Sequence, residues 1–161
     1  MKIAVTGDGR VAGGSMEVLD AMGIRNVATA ADGKTALAAI QQSPVHLVIS
    51  DYNMPEMDGL ALLEFIKREQ PDLTVVMMTA FGQVETAVKA MKNGAFDFIT
   101  KPFDHEALII RLEKALERSR LLKENLREQD KSNLLTAATM LEAARCVGDA
   151  IREIHNRDGK A

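Results

Sequence analysis

Short apolar runs alternate along this chain with segments whose apolar residues recur every three or four positions. The runs are IAV at 3–5, NVATA at 26–30, VHLVIS at 45–50, LTVVMM at 73–78 and FDFI at 96–99. Each has the length of a strand. Between them SMEVLDAM, GKTALAAIQQ, LALLEFIKRE and VETAVKAMK place their apolar residues on one face of a helix. Five such strand–helix units predict an α/β domain, a parallel sheet with helices on both faces. The third and fourth runs are apolar throughout, the pattern of strands buried on both sides. Gly23, Gly33, Pro44, Pro71 and Gly94 punctuate the units.

From Asp104 the helical pattern continues to about Glu128. EALIIRLEKAL is expected to be a fifth helix packing on the sheet, and LERSRLLKENLREQ carries Leu116, Leu122 and Leu126 among charges. The charges of both signs in this stretch mark a solvated face. KSN at 131–133 predicts a break, with Ser132 or Asn133 capping a second helix. In that helix Leu134, Ala137, Ala138, Leu141, Ala144, Val147, Ile151 and Ile154 line one face. Such a face has to be covered by the domain, by the linker helix or by another subunit. Leu112, Ala115, Ser119, Leu122 and Leu126 form a narrower stripe, as in a helix paired with a helix. The expectation is a homodimer built mainly through residues 104–155. The expected domains are residues 1–118, carrying the sheet, and residues 119–161, a helical linker and C-terminal amphipathic helix.

Composition narrows the partners. A chain of 161 residues with 47% hydrophobic content suits one domain with a core plus a helical appendage. A net charge of −3 supplies no basic field for nucleic acid, and the tail offers no helix-turn-helix. No segment approaches the roughly 20 apolar residues that cross a bilayer, and no cleavable leader is visible. Neither nucleic acid nor membrane is therefore expected as a direct partner. Cys146 is the sole cysteine, so no internal disulfide is possible and a reducing, cytoplasmic setting is expected. It reads as a small apolar residue on a helix rather than a redox thiol.

In a parallel α/β sheet, function collects beyond the carboxyl ends of the strands. There the first run ends at Thr6, Gly7 and Asp8, the third at Ser50 and Asp51, the fourth at Met78, Thr79 and Ala80, and the fifth at Thr100, Lys101 and Pro102. A lone Asp after a strand is commonly a turn or cap former. A carboxylate, a hydroxyl and an ammonium converging from three strands are less readily explained that way.

The stretch SDYNMPEMDGLALL resembles the phosphorylation loop of response-regulator receiver domains, and MMTAFG and DFITKPF resemble the two later signatures of that family. The order and approximate spacing are those of the family, and AMKNGAFDFITKPF followed by a charged helix is most similar to receivers of the NtrC type. The resemblance covers about residues 25–120. It implies a flavodoxin-like doubly wound five-stranded sheet of order 2-1-3-4-5, extended here by C-terminal helices. It implies Asp51 as phosphoacceptor, Thr79 as switch hydroxyl, Lys101 as phosphate-binding lysine and Phe98 as switch aromatic, with a cis peptide before Pro102. The implied cofactor is Mg2+, held by Asp8, Asp51 and the Asn53 backbone carbonyl. The implied partner is a sensor histidine kinase. These roles suit the residue types. A magnesium ion can bridge carboxylate and phosphoryl oxygens, a fixed ammonium stabilises their charge, and a phosphoryl group adds about −1.5 to −2 charges to a two-state surface.

One stretch departs from the family. Receivers end their first strand with two adjacent acids, and here the sequence is VTGDGRVAGG. Counted from the strand start, Gly7 and Asp8 take the acidic places. Counted back from Met22 and Gly23, Thr6 and Gly7 take them. In either register at least one acid is lost, so the magnesium site is expected to be weakened. Gly7, Gly9 and Ala12 also fit G-x-G-x-x-A, the glycine pattern of dinucleotide-binding turns, with Asp32 as the ribose-binding acid. Gly13 and Gly14 are expected to loosen the start of the first helix. Three functions follow: a phosphorylated signalling receiver with output through its C-terminal helices and no enzymatic activity of its own; a pseudo-receiver acting in interaction or dimerisation; and a nucleotide binder through Gly7–Gly14.

Overall fold

The structure, a computed structural model, describes residues 1–7, 9–80 and 84–158. The chain divides into two compact units, Met1–Leu121 and Leu122–Ala161. The elements in chain order are β1 (Ile3–Thr6), α1 (Gly9–Ala21), β2 (Val27–Ala30), α2 (Gly33–Gln42), β3 (Leu47–Asp51), α3 (Gly59–Glu69), β4 (Thr74–Ala80), α4 (Val84–Lys92), β5 (Asp97–Lys101) and α5 (His105–Asp158). The sheet has the order β2-β1-β3-β4-β5 with every pair parallel, as expected. The order reverses between β1 and β3, which opens the crevice beyond their carboxyl ends.

Alternation along the strands builds two cores. Ile3, Val5, Leu47, Ile49, Val76 and Met78 face Val18 and Leu19 of α1 and Leu108, Leu112 and Ala115 of α5. Ala4, Val48, Val75 and Met77 face the other way, against Ala36 and Ile40 of α2, Leu62, Leu63 and Ile66 of α3 and Ala90 of α4. The turns are chemically specified. Asp32 and Asp58 cap α2 and α3, each accepting a backbone N–H three residues on at 2.8 Å. Gly59 follows the second cap because a Cβ there would collide with the Asp51 carbonyl and lie 2.8 Å from Met77 Cε. The start of α3 thus packs directly under the end of β3. The Lys101–Pro102 peptide is cis.

Three local expectations are corrected. The helix α5 runs His105–Asp158 without a break at 131–133. Serine and asparagine inside a helix cost only a few tenths of a kcal/mol each relative to good helix formers, roughly 0.5. No Pro or Gly stands there, and the Thr136 hydroxyl donates to the Ser132 carbonyl at 3.0 Å along the unbroken helix. Next, Leu112, Ala115 and Ser119 are buried in the first unit, with Ser119 Oγ donating to the His46 carbonyl at 2.6 Å. These residues serve the domain's own core, so the narrow stripe is not a free pairing surface before Leu122. Finally, α1 is already formed at Gly9, so Gly9 to Gly14 lie in helix rather than loop. A Cβ added at Gly14 would lie 3.4 Å from the Phe103 ring, an ordinary contact, and one at Gly13 would meet nothing within 4 Å.

In the second unit Leu126, Leu134, Leu135, Met140, Leu141 and Val147 are exposed, Leu134 at 77%. No described helix is long and apolar enough to cross a membrane.

Candidate functional site

The register of the strands gathers the expected residues at one edge of the sheet. Thr6 lies opposite Ser50, Asp51 opposite Met78, Thr79 opposite Thr100 and Ala80 opposite Lys101. The Lys101 ammonium reaches across to Asp51, donating from Nζ to Oδ2 at 2.6 Å. The Asn53 backbone N–H approaches the other carboxylate oxygen at 3.3 Å. Asp51 is only 3% exposed. Burying a carboxylate is costly unless it is paired and hydrogen-bonded, and Lys101 and the Asn53 N–H supply the pair and a donor.

Sequence reasoning missed the support beneath it. Thr6 Oγ1 donates to Ser50 Oγ at 2.9 Å, and Ser50 Oγ donates to the Asp51 backbone carbonyl at 3.1 Å. All three residues are buried. This hydroxyl chain fixes the end of β3 from the neighbouring strand. Its signal was the hydroxyl residue at the end of each of two apolar runs, which becomes a pair only once their register is known.

Thr79 is fully buried, and its hydroxyl has no partner among the described residues. Leaving such a group unsatisfied costs about 1–3 kcal/mol, so the hydroxyl is available to an acceptor that enters the site. Met77 pairs with Phe98, and Thr79 lies two residues on from Met77. Thr79 and Phe98 therefore share one face of the β4–β5 pair, with Phe98 half-buried against that core.

Asp8 lies outside the described residues. Thr6 is buried with its hydroxyl committed to Ser50, and the next residue, Gly7, falls level with Asp51. Gly7 has φ 149°, a backbone conformation that favours glycine. Among the described residues no group of three or more His, Cys, Asp or Glu could hold a metal. Magnesium commonly takes one or two carboxylates and keeps several waters, so Asp51 and the Asn53 carbonyl fit part of such a set.

The dinucleotide reading finds no support at Asp32. Both its carboxylate oxygens are engaged by Thr35, Oδ1 by the backbone N–H at 2.8 Å and Oδ2 by the hydroxyl at 3.0 Å. The backbone bond from Thr35 chiefly, and its hydroxyl next, hold the Asp32 carboxyl below the usual range. It is a helix cap.

Comparison with known proteins agrees with this geometry. Residues 8–113 match the response regulator receiver domain family. The chain is similar to the transcriptional regulatory protein ZraR of Salmonella typhimurium, 47% identical over 95 residues, covering 59% of this chain and 22% of that protein. It is also similar to the nitrogen assimilation regulatory protein NtrX of Azorhizobium caulinodans, 46% identical over 98 residues, covering 60% of this chain and 22% of that one. The crystal structure of the receiver domain of NtrX from Brucella abortus superposes with a TM-score of 0.66 at 42% identity, covering 71% of this chain and 98% of that domain. The match thus spans about a fifth of the length of the curated relatives.

Proposed function

We propose a function that starts from the family: this chain belongs to the response regulator receiver domain family of two-component signalling. Within it, Asp51 accepts a phosphoryl group from a sensor histidine kinase. A carboxylate oxygen of Asp51 attacks the phosphorus in line. The bond to the donor nitrogen breaks as the new P–O bond forms, and the electron pair leaves with the imidazole. Lys101, already 2.6 Å from Asp51, stays as the fixed cation for the added oxygens. The unpartnered Thr79 hydroxyl donates to one of them, and Phe98, on the same face, follows it inward. Mg2+ would be held by Asp51, the Asn53 carbonyl and Asp8, and would neutralise oxygen charge there. In this reading residues 1–118 form the receiver and residues 119–161 carry the output. The exposed leucines beyond Leu122 join two copies as a homodimer. The regulation of transcription named for ZraR belongs to a protein far longer than this match.

The observation that carries this reading is the Asp51–Lys101 pair, together with a buried Thr79 hydroxyl that has no partner among the described residues. It is tested by melting the protein with magnesium and beryllofluoride, a phosphoryl mimic. A rise in Tm for the parent and none for Asp51→Asn supports it. Equal behaviour of the two would refute it. A second reading is favoured by one residue. Gly7 stands level with Asp51 where the family has an acid, so the chain would bind magnesium weakly and act as a pseudo-receiver in interaction or dimerisation. A parent that takes up beryllofluoride only at far higher magnesium than ordinary receivers would favour it.

A further inference from the structure

The edge strand β5 carries an arrangement that the reaction at Asp51 does not use. β5 has a strand neighbour on one side only, β4. An edge strand leaves backbone groups without ladder partners. For Phe98 two side chains supply them. Asp97 Oδ1 accepts the Phe98 backbone N–H at 2.8 Å, and Arg111 of α5 donates from Nη1 to the Phe98 carbonyl at 3.2 Å. The same Nη1 reaches both Asp97 oxygens, at 2.7 and 2.6 Å. Both polar groups of one residue's backbone are thus held by a single ion pair, one partner on the strand and one on the helix. The exposed Lys34–Glu56 pair, by contrast, joins two side chains.

We propose that Asp97 and Arg111 are positioning residues for the switch: their pair clamps the Phe98 backbone to α5, so that rotation of the Phe98 ring is felt by that helix and the helix sets the ring's resting position. The physical reason is reach. A side chain pivots on its backbone, and a backbone held from both its N–H and its C=O transmits torque where a free edge would yield. A surface ion pair between side chains would contribute little in itself. Here the charge assists hydrogen bonds to the main chain, which are stronger and more directional. The proposal rests on Phe98 being the switch aromatic.

The test uses the full chain, as parent and as Asp97→Ala and Arg111→Ala, with magnesium and beryllofluoride as the probe. Solution NMR reads two quantities: the exchange rate of the Phe98 amide relative to Ile99, and the displacement of the Phe98 ring resonances by the probe. Asp97→Ala should speed Phe98 amide exchange about tenfold, the equivalent of one charge-assisted hydrogen bond, with Ile99 unchanged. Both alanine variants should at least halve the probe-induced ring displacement. Asp97→Asn, whose amide oxygen can still accept the Phe98 N–H but without the charge, should show part of the parent's protection, between the parent and Asp97→Ala. Alanine variants with the parent's exchange ratio and ring displacement would overturn the clamp. A parent that binds the probe at Asp51 with no Phe98 displacement would overturn the switch reading itself, and the clamp with it. Should Arg111→Ala fail to fold, Arg111→Lys serves in its place, with a smaller loss in the same direction expected and none overturning the proposal.

Discussion

Lys101 Nζ lies 2.6 Å from Asp51 Oδ2, and the two residues come from strands separated in the sheet by β4. The pair bridges the carboxyl ends of β3 and β5, so the cation the chemistry needs also holds the edge together. Lys101→Ala should leave the Asp51 carboxylate buried without its counter-charge. A buried pair broken on one side costs about 3–5 kcal/mol. The Lys101 side chain is 29% exposed, and water admitted there reduces the expected loss to about 1–3 kcal/mol. Urea unfolding measures it, and a variant as stable as the parent would mean that the pair carries no structural weight.

Thr79 makes the opposite prediction. Its hydroxyl is buried and has no partner among the described residues. Thr79→Val keeps the shape and removes the unsatisfied group, so the variant should be more stable than the parent by about 1 kcal/mol. It should also lose the structural response to beryllofluoride while still binding it at Asp51. A destabilised Thr79→Val would show that the hydroxyl has a partner in solution and is not held in reserve.

Much of this was legible in the sequence for physical reasons. The five apolar runs became the five strands, and the inner ones were plainest because burial on both faces leaves a continuous apolar signature, as in Val75 to Met78. The site edge was legible because parallel strands deliver their C-terminal residues to one side, Asp51, Thr79 and Lys101 among them. Three things were not. Ser119 reads as a polar interruption of a pairing stripe, but the His46 carbonyl that receives its hydroxyl comes from 73 residues away in sequence. The Thr6–Ser50 chain needed the β1–β3 register. The expected break at 131–133 gave weight to residues whose helix penalties are small.

Lys67 is one source of pH dependence in stability. Its Nζ donates to the Pro71 and Leu73 carbonyls at 3.0 and 2.6 Å. Burial chiefly, and the Arg118 charge next, hold its pKa below 10.5. The folded protein thus binds this proton less tightly than the unfolded chain. Between the lowered folded pKa and 10.5 the unfolded state carries more protons, so this contribution to stability rises with pH across that window. The difference in unfolding free energy between the parent and Lys67→Met should move in the parent's favour as pH approaches 10.5. A shift toward the variant would reverse the assigned sign.

The tail is where assembly is expected. Leu134, Leu135, Met140, Leu141 and Val147 are each at least 60% exposed on α5, more apolar surface than a lone helix keeps in water without a partner. Light scattering should give a dimer for the full chain and a monomer for a version ending at Leu121, the end of the first unit. A full-length monomer at high concentration would refute the pairing, and a dimer surviving truncation would move it to the sheet domain.

The central claim is that Asp51 receives the phosphoryl group, and it is tested most directly by locating that group. The protein is incubated with magnesium and a small phosphodonor, the acyl phosphate is trapped by borohydride reduction, and the peptides are mapped by mass spectrometry. The account predicts modification at Asp51 alone, none in Asp51→Asn, and slower formation than in a receiver with both acids on its first strand, because the VTGD that ends this one lacks at least one of them. Modification at another residue, or a protein left unmodified where an ordinary receiver reacts to completion, would contradict it.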